Sequence, residues 1–190
     1  MKKALLLTIA INLINCKAQQ TYPLNTFYKN VPDYAYMKDL NNYLPPYVGT
    51  YKNTYDGKEI TLFITKEDMH LTDYGPGDRK YYQDVLNVKF IVKKISTGAI
   101  IQDTQNNITQ KNQIESMGTN SNDNNSISLY YQGTSCGIGY GRITLKKISN
   151  TQISWSYYPN DSIFSTGDCP GNLDKTIYLP DTENLIFTKQ

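Results

Sequence analysis

GTYKNTYDGKEITLFITK, residues 49–66, is the stretch on which the fold turns. Tyr51 and Tyr55 fall on one face of its first half, with Lys52 and Thr54 on the other. In its second half Ile60, Leu62 and Ile64 alternate with Thr61 and Thr65. A period of two is that of a half-buried strand. Between the halves stands Asp56-Gly57, a pair that accepts the left-handed angles of a two-residue hairpin turn. Such a turn sets Tyr55 opposite Lys58, and parity then sends Ile60, Leu62 and Ile64 into a core. Leaving each of them in water would forfeit ~1.5–3 kcal/mol. Thr61 and Thr65 are expected in solvent. Phe63 breaks the pattern by placing a ring on the outer face, which predicts a covering loop or helix.

The same alternation recurs downstream. Val88, Phe90 and Val92 alternate with Lys89 and Lys93 in a strand over 85–95, which Gly98 turns into 99–103. Between residues 102 and 126 large apolar side chains are scarce, so a weak exposed strand over 113–117 is expected between polar loops. Ile127, Leu129 and Tyr131 mark a further strand, as do Ile143 and Leu145, and then Ile153, Trp155 and Tyr157. Ile177 and Leu179, then Leu185 and Phe187, supply the last two. Eight to ten antiparallel strands with short links predict an all-β domain over 32–190. A meander barrel is the preferred form, with a sandwich as the alternative. Ahead of these strands, Tyr34, Met37 and Leu40 recur at three-residue spacing behind Pro32, which predicts a short N-terminal helix over 32–40. Pro45-Pro46 ends anything helical.

Residues 1–20, MKKALLLTIAINLINCKAQQ, are of a different kind. Two lysines, an apolar run from Ala4 to Ile14 and then Cys16 match an export signal. The run is well short of the ~20 residues a spanning helix needs. Leu13-Ile14-Asn15-Cys16 resembles a lipobox, so a signal peptide over 1–15 and a diacylated Cys16 are expected. Asn15 stands where a small residue is usual, and cleavage after Ala18 with release as a soluble secreted or periplasmic protein is the alternative. A polar leader over 16–31 would then space the domain from the membrane. Envelope localisation facing the periplasm or the cell surface follows.

Composition narrows function by exclusion. Of 19 basic and 17 acidic side chains, Lys2 and Lys3 belong to the signal, which leaves a neutral domain. That balance gives no electrostatic case for nucleic acid. Seventeen tyrosines stand against one histidine and one tryptophan. This suits a β protein with a hydrogen-bonding surface more than general acid–base chemistry at neutral pH. Cys136 and Cys169 are an even pair in an exporting context, which predicts a disulfide of ~3–4 kcal/mol. Two free thiols are the alternative, and no close paired spacing points to a metal or other cofactor.

Candidate sites are few. Cys136-Gly137-Ile138-Gly139-Tyr140-Gly141-Arg142 is glycine-rich, but a strand follows where a phosphate loop needs a helix, so tight turns or a bulge are expected. Asn120, Asn122 and Asn124 alternate around Asp123 without the glycine and glutamate of a calcium loop. His70 lies among Glu67, Asp68 and Asp73, with no activated nucleophile nearby, and is expected on a surface loop. Asp161, Asp168 and Asp174 are the carboxylates a hydrolase would use. Tyr51, Tyr55, Tyr131, Trp155 and Tyr157, with Tyr130 and Tyr158, either line an aromatic binding surface or fill the core. No catalytic set converges.

Cys16-Lys17-Ala18-Gln19 with Tyr22-Pro23-Leu24-Asn25-Thr26 resembles the start of a family of small lipoproteins from Bacteroidota-type bacteria. Asp39-Leu40-Asn41-Asn42-Tyr43-Leu44, Tyr47-Val48-Gly49-Thr50-Tyr51 and Gly57-Lys58-Glu59-Ile60-Thr61-Leu62 are similar to the same group. The family is a domain of unknown function, so the resemblance implies an anchored envelope protein and brings no site residues. Gly49-Thr50-Tyr51 also resembles the opening of lipocalin-like barrels, with Tyr51 in place of tryptophan; that is a likeness of fold alone. The leading expectation is a non-enzymatic, lipid-anchored barrel that binds a small molecule, a glycan or an envelope partner. An envelope assembly protein is the second reading, and a hydrolase using loop carboxylates the third.

Overall fold

The Asp56-Gly57 turn forms as the sequence dictates, with φ of 46° and 69° at its two residues. It joins β3 (Gly49–Tyr55) to β4 (Lys58–Asp73), with Tyr55 opposite Lys58. The computed structural model describes residues 19–105, 113–119, 125–160, 172 and 174–190. Around this hairpin lie β1 (Thr21–Pro23), β2 (Tyr36–Lys38), β5 (Lys80–Lys94), β6 (Ile100–Asp103), β7 (Ile114–Thr119), β8 (Ser126–Tyr131), β9 (Gly141–Lys147), β10 (Gln152–Pro159) and β11 (Leu185–Lys189).

Eight of these close an antiparallel barrel in the order β3-β4-β5-β7-β8-β9-β10-β11, with β11 returning to β3. The meander expected from the short links is the observed form. Its interior is set by register. Ile60, Leu62 and Ile64 lie opposite Val92, Phe90 and Val88, and all six are buried. Ile127 and Leu129 face Leu145 and Ile143 in the same way.

The two seams carry few ladder pairs, and hydrogen bonds outside the ladder supplement them. At β5–β7, Ser116 Oγ accepts the Leu86 N–H at 2.8 Å, and just past β6 Thr104 Oγ1 accepts the Phe90 N–H at 2.7 Å. Both hydroxyls are buried, so they satisfy amides that would otherwise be stranded. At β11–β3 the Gln190 N–H reaches Thr50 O at 2.9 Å.

Several expectations are corrected. The helix over 32–40 does not form. Tyr34 takes φ 61°, which no right-handed helix admits, and Tyr36–Lys38 pairs in parallel with β5 as β2. Among the described residues, helical structure amounts to three-residue turns such as Pro45–Tyr47, so the two prolines open a turn and end none. Part of the leader over 16–31 is built into the domain: β1 pairs with β2, and Leu24 and Val31 are buried in the core.

Thr61 is only 8 % exposed, because Lys52 and Ile91 flank it on the neighbouring strands. Thr65 is exposed as expected, and Phe63 is half-buried between Thr50 and Lys89, with no helix over it among the described residues. Ile177 and Leu179 do not form a strand. Leu179 still reaches the core, held by the Trp155 indole N–H donating to Pro180 O at 3.1 Å.

The N-terminal segment is pinned by a buried carboxylate. Asp84, 1 % exposed, accepts from the Tyr36 hydroxyl, from the Asp39 N–H at 2.9 Å and from the Met69 N–H at 3.3 Å. Lys66 Nζ lies 3.5 Å away. Met69 sits at a bulge in β4, at φ 56°, which turns its amide toward Asp84. Asp39 in turn accepts the N–H groups of Tyr43 and Leu44, both at 2.9 Å.

Candidate functional site

The aromatic residues singled out from sequence divide between two sides of the wall. Tyr51, Tyr131, Trp155 and Tyr157 point inward and are buried. Tyr131 and Tyr157 pack edge to face at 6.2 Å, as do Trp155 and Tyr157 at 6.1 Å, while Phe187 lies 5.9 Å from Trp155. Burial pushes the Tyr131 phenol up to about 12 and raises Tyr157 as well. The Tyr157 hydroxyl donates to Gly139 O. The Tyr51 hydroxyl has no hydrogen-bond partner among the described residues, and burial raises it too. Tyr55 is half-buried against the core. These five form packing, and the aromatic surface is elsewhere.

Tyr130 and Tyr158 point outward, and the register sets Arg142 between them. The same row continues to Glu115 opposite Tyr130, to Asn87 opposite Glu115 and to Thr65 opposite Asn87. Because strand parity alternates, all six side chains share the outer face. Shallow clefts lie along this row. One, of about 590 Å³, is walled by Tyr130, Arg142, Tyr158 and Asn160. A second, of about 300 Å³, is walled by Glu67, His70, Asn87 and Glu115. A third, of about 460 Å³, joins them through Gln83, Gln113, Gln132 and Met117. The result is a transverse groove lined with tyrosine faces, amides and charged groups.

His70 lies in strand β4, past the bulge, and not on the expected loop. The strand continues beyond Lys66 because Leu71 and Asp73 still pair with Tyr82 and Lys80. Of the carboxylates near His70 in sequence, only Glu67 reaches it, accepting from Nδ1 at 3.0 Å. Glu67 also accepts from Asn87 Nδ2 at 2.7 Å. Asp68 pairs with Lys66, and Asp73 pairs with Lys80 at 2.8 Å.

Glu115, which sequence reasoning missed, comes within 3.8 Å of His70 Nε2. Burial raises its carboxyl, His70 pulls it down and Glu67 pushes it up again, for a net rise. Glu67 and Glu115 approach opposite ring nitrogens and do not converge on one point. No cluster of three metal-ligating side chains occurs among the described residues.

The remaining candidates resolve simply. Asp174 accepts from the Tyr178 hydroxyl at 2.6 Å and the Thr176 N–H at 2.9 Å, a turn. The glycine-rich stretch makes a turn at Ser135–Gly137 and then enters β9, as expected. Asp161, Asp168, Cys169, the Asn120–Asn124 stretch and Cys16 lie outside the described residues. Glu115 and Arg142 had a legible parity in their strands, but what assembles them is the pairing of β5, β7, β8 and β9.

No curated protein and no solved structure matches the chain. A family model spans residues 1–190 from end to end, and the chain belongs to that family, DUF6705, a family of unknown function.

Proposed function

We propose that this protein is a non-enzymatic, envelope-anchored barrel that binds a glycan along its outer groove. The observation that carries the reading is the row Asn87–Glu115–Tyr130–Arg142–Tyr158 across four strand pairings. Sugar rings offer apolar C–H faces and dense hydroxyls. Tyrosine faces suit the first, and amide, carboxylate and guanidinium groups suit the second. Strands hold these groups more rigidly than loops would, which lowers the entropy lost on binding. A glycan array probed with the full-length protein in detergent tests this. Binding to a related set of oligosaccharides, lost in Arg142→Gln and Tyr158→Ala with an unchanged melting temperature, supports the reading. No binding on the array, or binding that both variants retain, removes it.

The anchor belongs to the same proposal. The apolar run before Cys16 supports export and diacylation, and two acyl chains give stable anchoring where one is marginal. Metabolic labelling with a clickable fatty acid marks the wild type and spares Cys16→Ser; equal labelling of both refutes it. We propose a Cys136–Cys169 disulfide on parity and compartment. Two thiols titrating in the unfolded, unreduced protein refute that bridge.

A further inference from the structure

Next to the groove, and sharing Tyr74 and Met117 with its third cleft, four aromatic rings surround a recess of about 520 Å³. Tyr81 is buried beneath it, while Phe27 and Tyr74 stand 59 % and 55 % exposed at its rim. Tyr28 sits between them, edge-on to Phe27 at 5.3 Å and 66° and to Tyr74 at 6.3 Å and 64°. Its ring lies 6.1 Å from Tyr81 at 31°. Tyr28 therefore meets Phe27 and Tyr74 as walls at steep angles, and is only tilted against Tyr81 beneath. Two large aromatic side chains left in water around a recess are an unspent binding surface.

Among the residues that line the recess, the charged one is Asp78. No ion pair engages it among the described residues, whereas Asp73 nearby is neutralised by Lys80. Burial raises the phenols of Tyr74 and Tyr81, and the Asp78 charge pushes both the same way, as Glu115 does for Tyr74. Ring faces carry negative potential as well. Outside the lining, the ammonium of the exposed Lys29 side chain lies 5.8 Å from the Tyr28 ring centre.

We infer that this recess binds a quaternary or trimethylated ammonium group, with the rings as walls and Asp78 as the counter-charge. Such a cation has no N–H donors to satisfy and loses little hydration on entering an aromatic cage. A primary ammonium would have to replace strong hydration with hydrogen bonds that ring faces do not offer. The inference does not rest on the glycan reading: Met117 and Tyr74 border both places, but Asn87, Tyr130, Arg142 and Tyr158, which carry that reading, take no part in the recess.

The test is calorimetric titration of the full-length protein, held in a maltoside detergent, with choline and with its neutral isostere 3,3-dimethylbutan-1-ol. Saturable choline binding about tenfold or more tighter than the isostere is expected. Asp78→Asn and Phe27→Leu should each weaken choline about tenfold, at an unchanged melting temperature, while Tyr130→Ala leaves it intact. Equal affinity for the two probes would show an apolar cleft without charge preference and overturn the inference. Absence of choline binding at about 50 mM, or indifference to both Asp78→Asn and Phe27→Leu, overturns it equally.

Discussion

Replacing Asp84 should unpin the N-terminal segment from the barrel. Its carboxylate is the shared acceptor for the Tyr36 hydroxyl in β2, the Asp39 N–H after it and the Met69 N–H at the β4 bulge. In Asp84→Ala the Tyr36 and Asp39 donors stay buried without a partner, while the Met69 amide is only part-buried. Tyr36 and Asp39 make the short contacts, and each stranded donor costs about 1–3 kcal/mol. Lys66 is partly exposed and can turn to water, so it adds little. The expected loss is about 3–5 kcal/mol, the range for removing one partner of a buried charged network. Against a typical domain stability of about 5–15 kcal/mol that is a large fraction.

The assay is urea unfolding of wild type, Asp84→Ala, Tyr36→Phe and the double variant. Tyr36→Phe alone should cost about 1.5–3 kcal/mol, and the cycle should show a coupling of about 1 kcal/mol or more. The pH dependence has a fixed sign. Burial opposes the Asp84 charge, but the Tyr36 hydroxyl, the two backbone amides and Lys66 outweigh it and hold its pKa below the usual carboxylate range. The unfolded state therefore binds the proton more readily. The stabilisation is present above the unfolded value of about 3.9 and is lost as pH falls through the folded one. A loss under about 1 kcal/mol in Asp84→Ala, or zero coupling to Tyr36, would refute the pinning role.

Leu62→Ala, at a fully buried site opposite Phe90, should cost about 2–5 kcal/mol in the same unfolding assay; a cost under about 1 kcal/mol would mean the barrel interior is not packed there. Trp155 is the sole tryptophan and 0 % exposed, so native fluorescence should be blue-shifted and resist iodide quenching until unfolding; ready quenching would place it at the surface. Gly141→Ala should destabilise by about 1–3 kcal/mol or more, because a Cβ there would lie 2.2 Å from Tyr158 O on the paired strand. An unchanged urea midpoint in that variant would show that β9 and β10 do not approach so closely.

Much of this protein was legible in its sequence because its strands carry a two-residue period. Ile60, Leu62, Ile64, Phe90, Leu129 and Trp155 each announce a buried face, and Asp56-Gly57 announces the turn that sets their register. Local chemistry of that kind needs no partner to be read. What the tertiary structure decided depends on groups far apart in the chain. The 32–40 segment has a helical apolar spacing, but Tyr36 meets Asp84 across 48 positions, and that buried contact with the β5 pairing outweighs a weak local propensity.

Likewise, inward parity put Tyr51, Tyr131, Trp155 and Tyr157 into the packed interior, a choice between core and binding surface that the sequence reading left open. Thr61 looked exposed because its own strand alternates, yet its cover comes from Lys52 and Ile91 on its neighbours. The row Asn87–Glu115–Tyr130–Arg142–Tyr158 and the recess of Phe27, Tyr28, Tyr74 and Tyr81 are both assembled by pairing between separate segments. One strand can determine which way a side chain points. Only closure of the barrel determines what stands beside it.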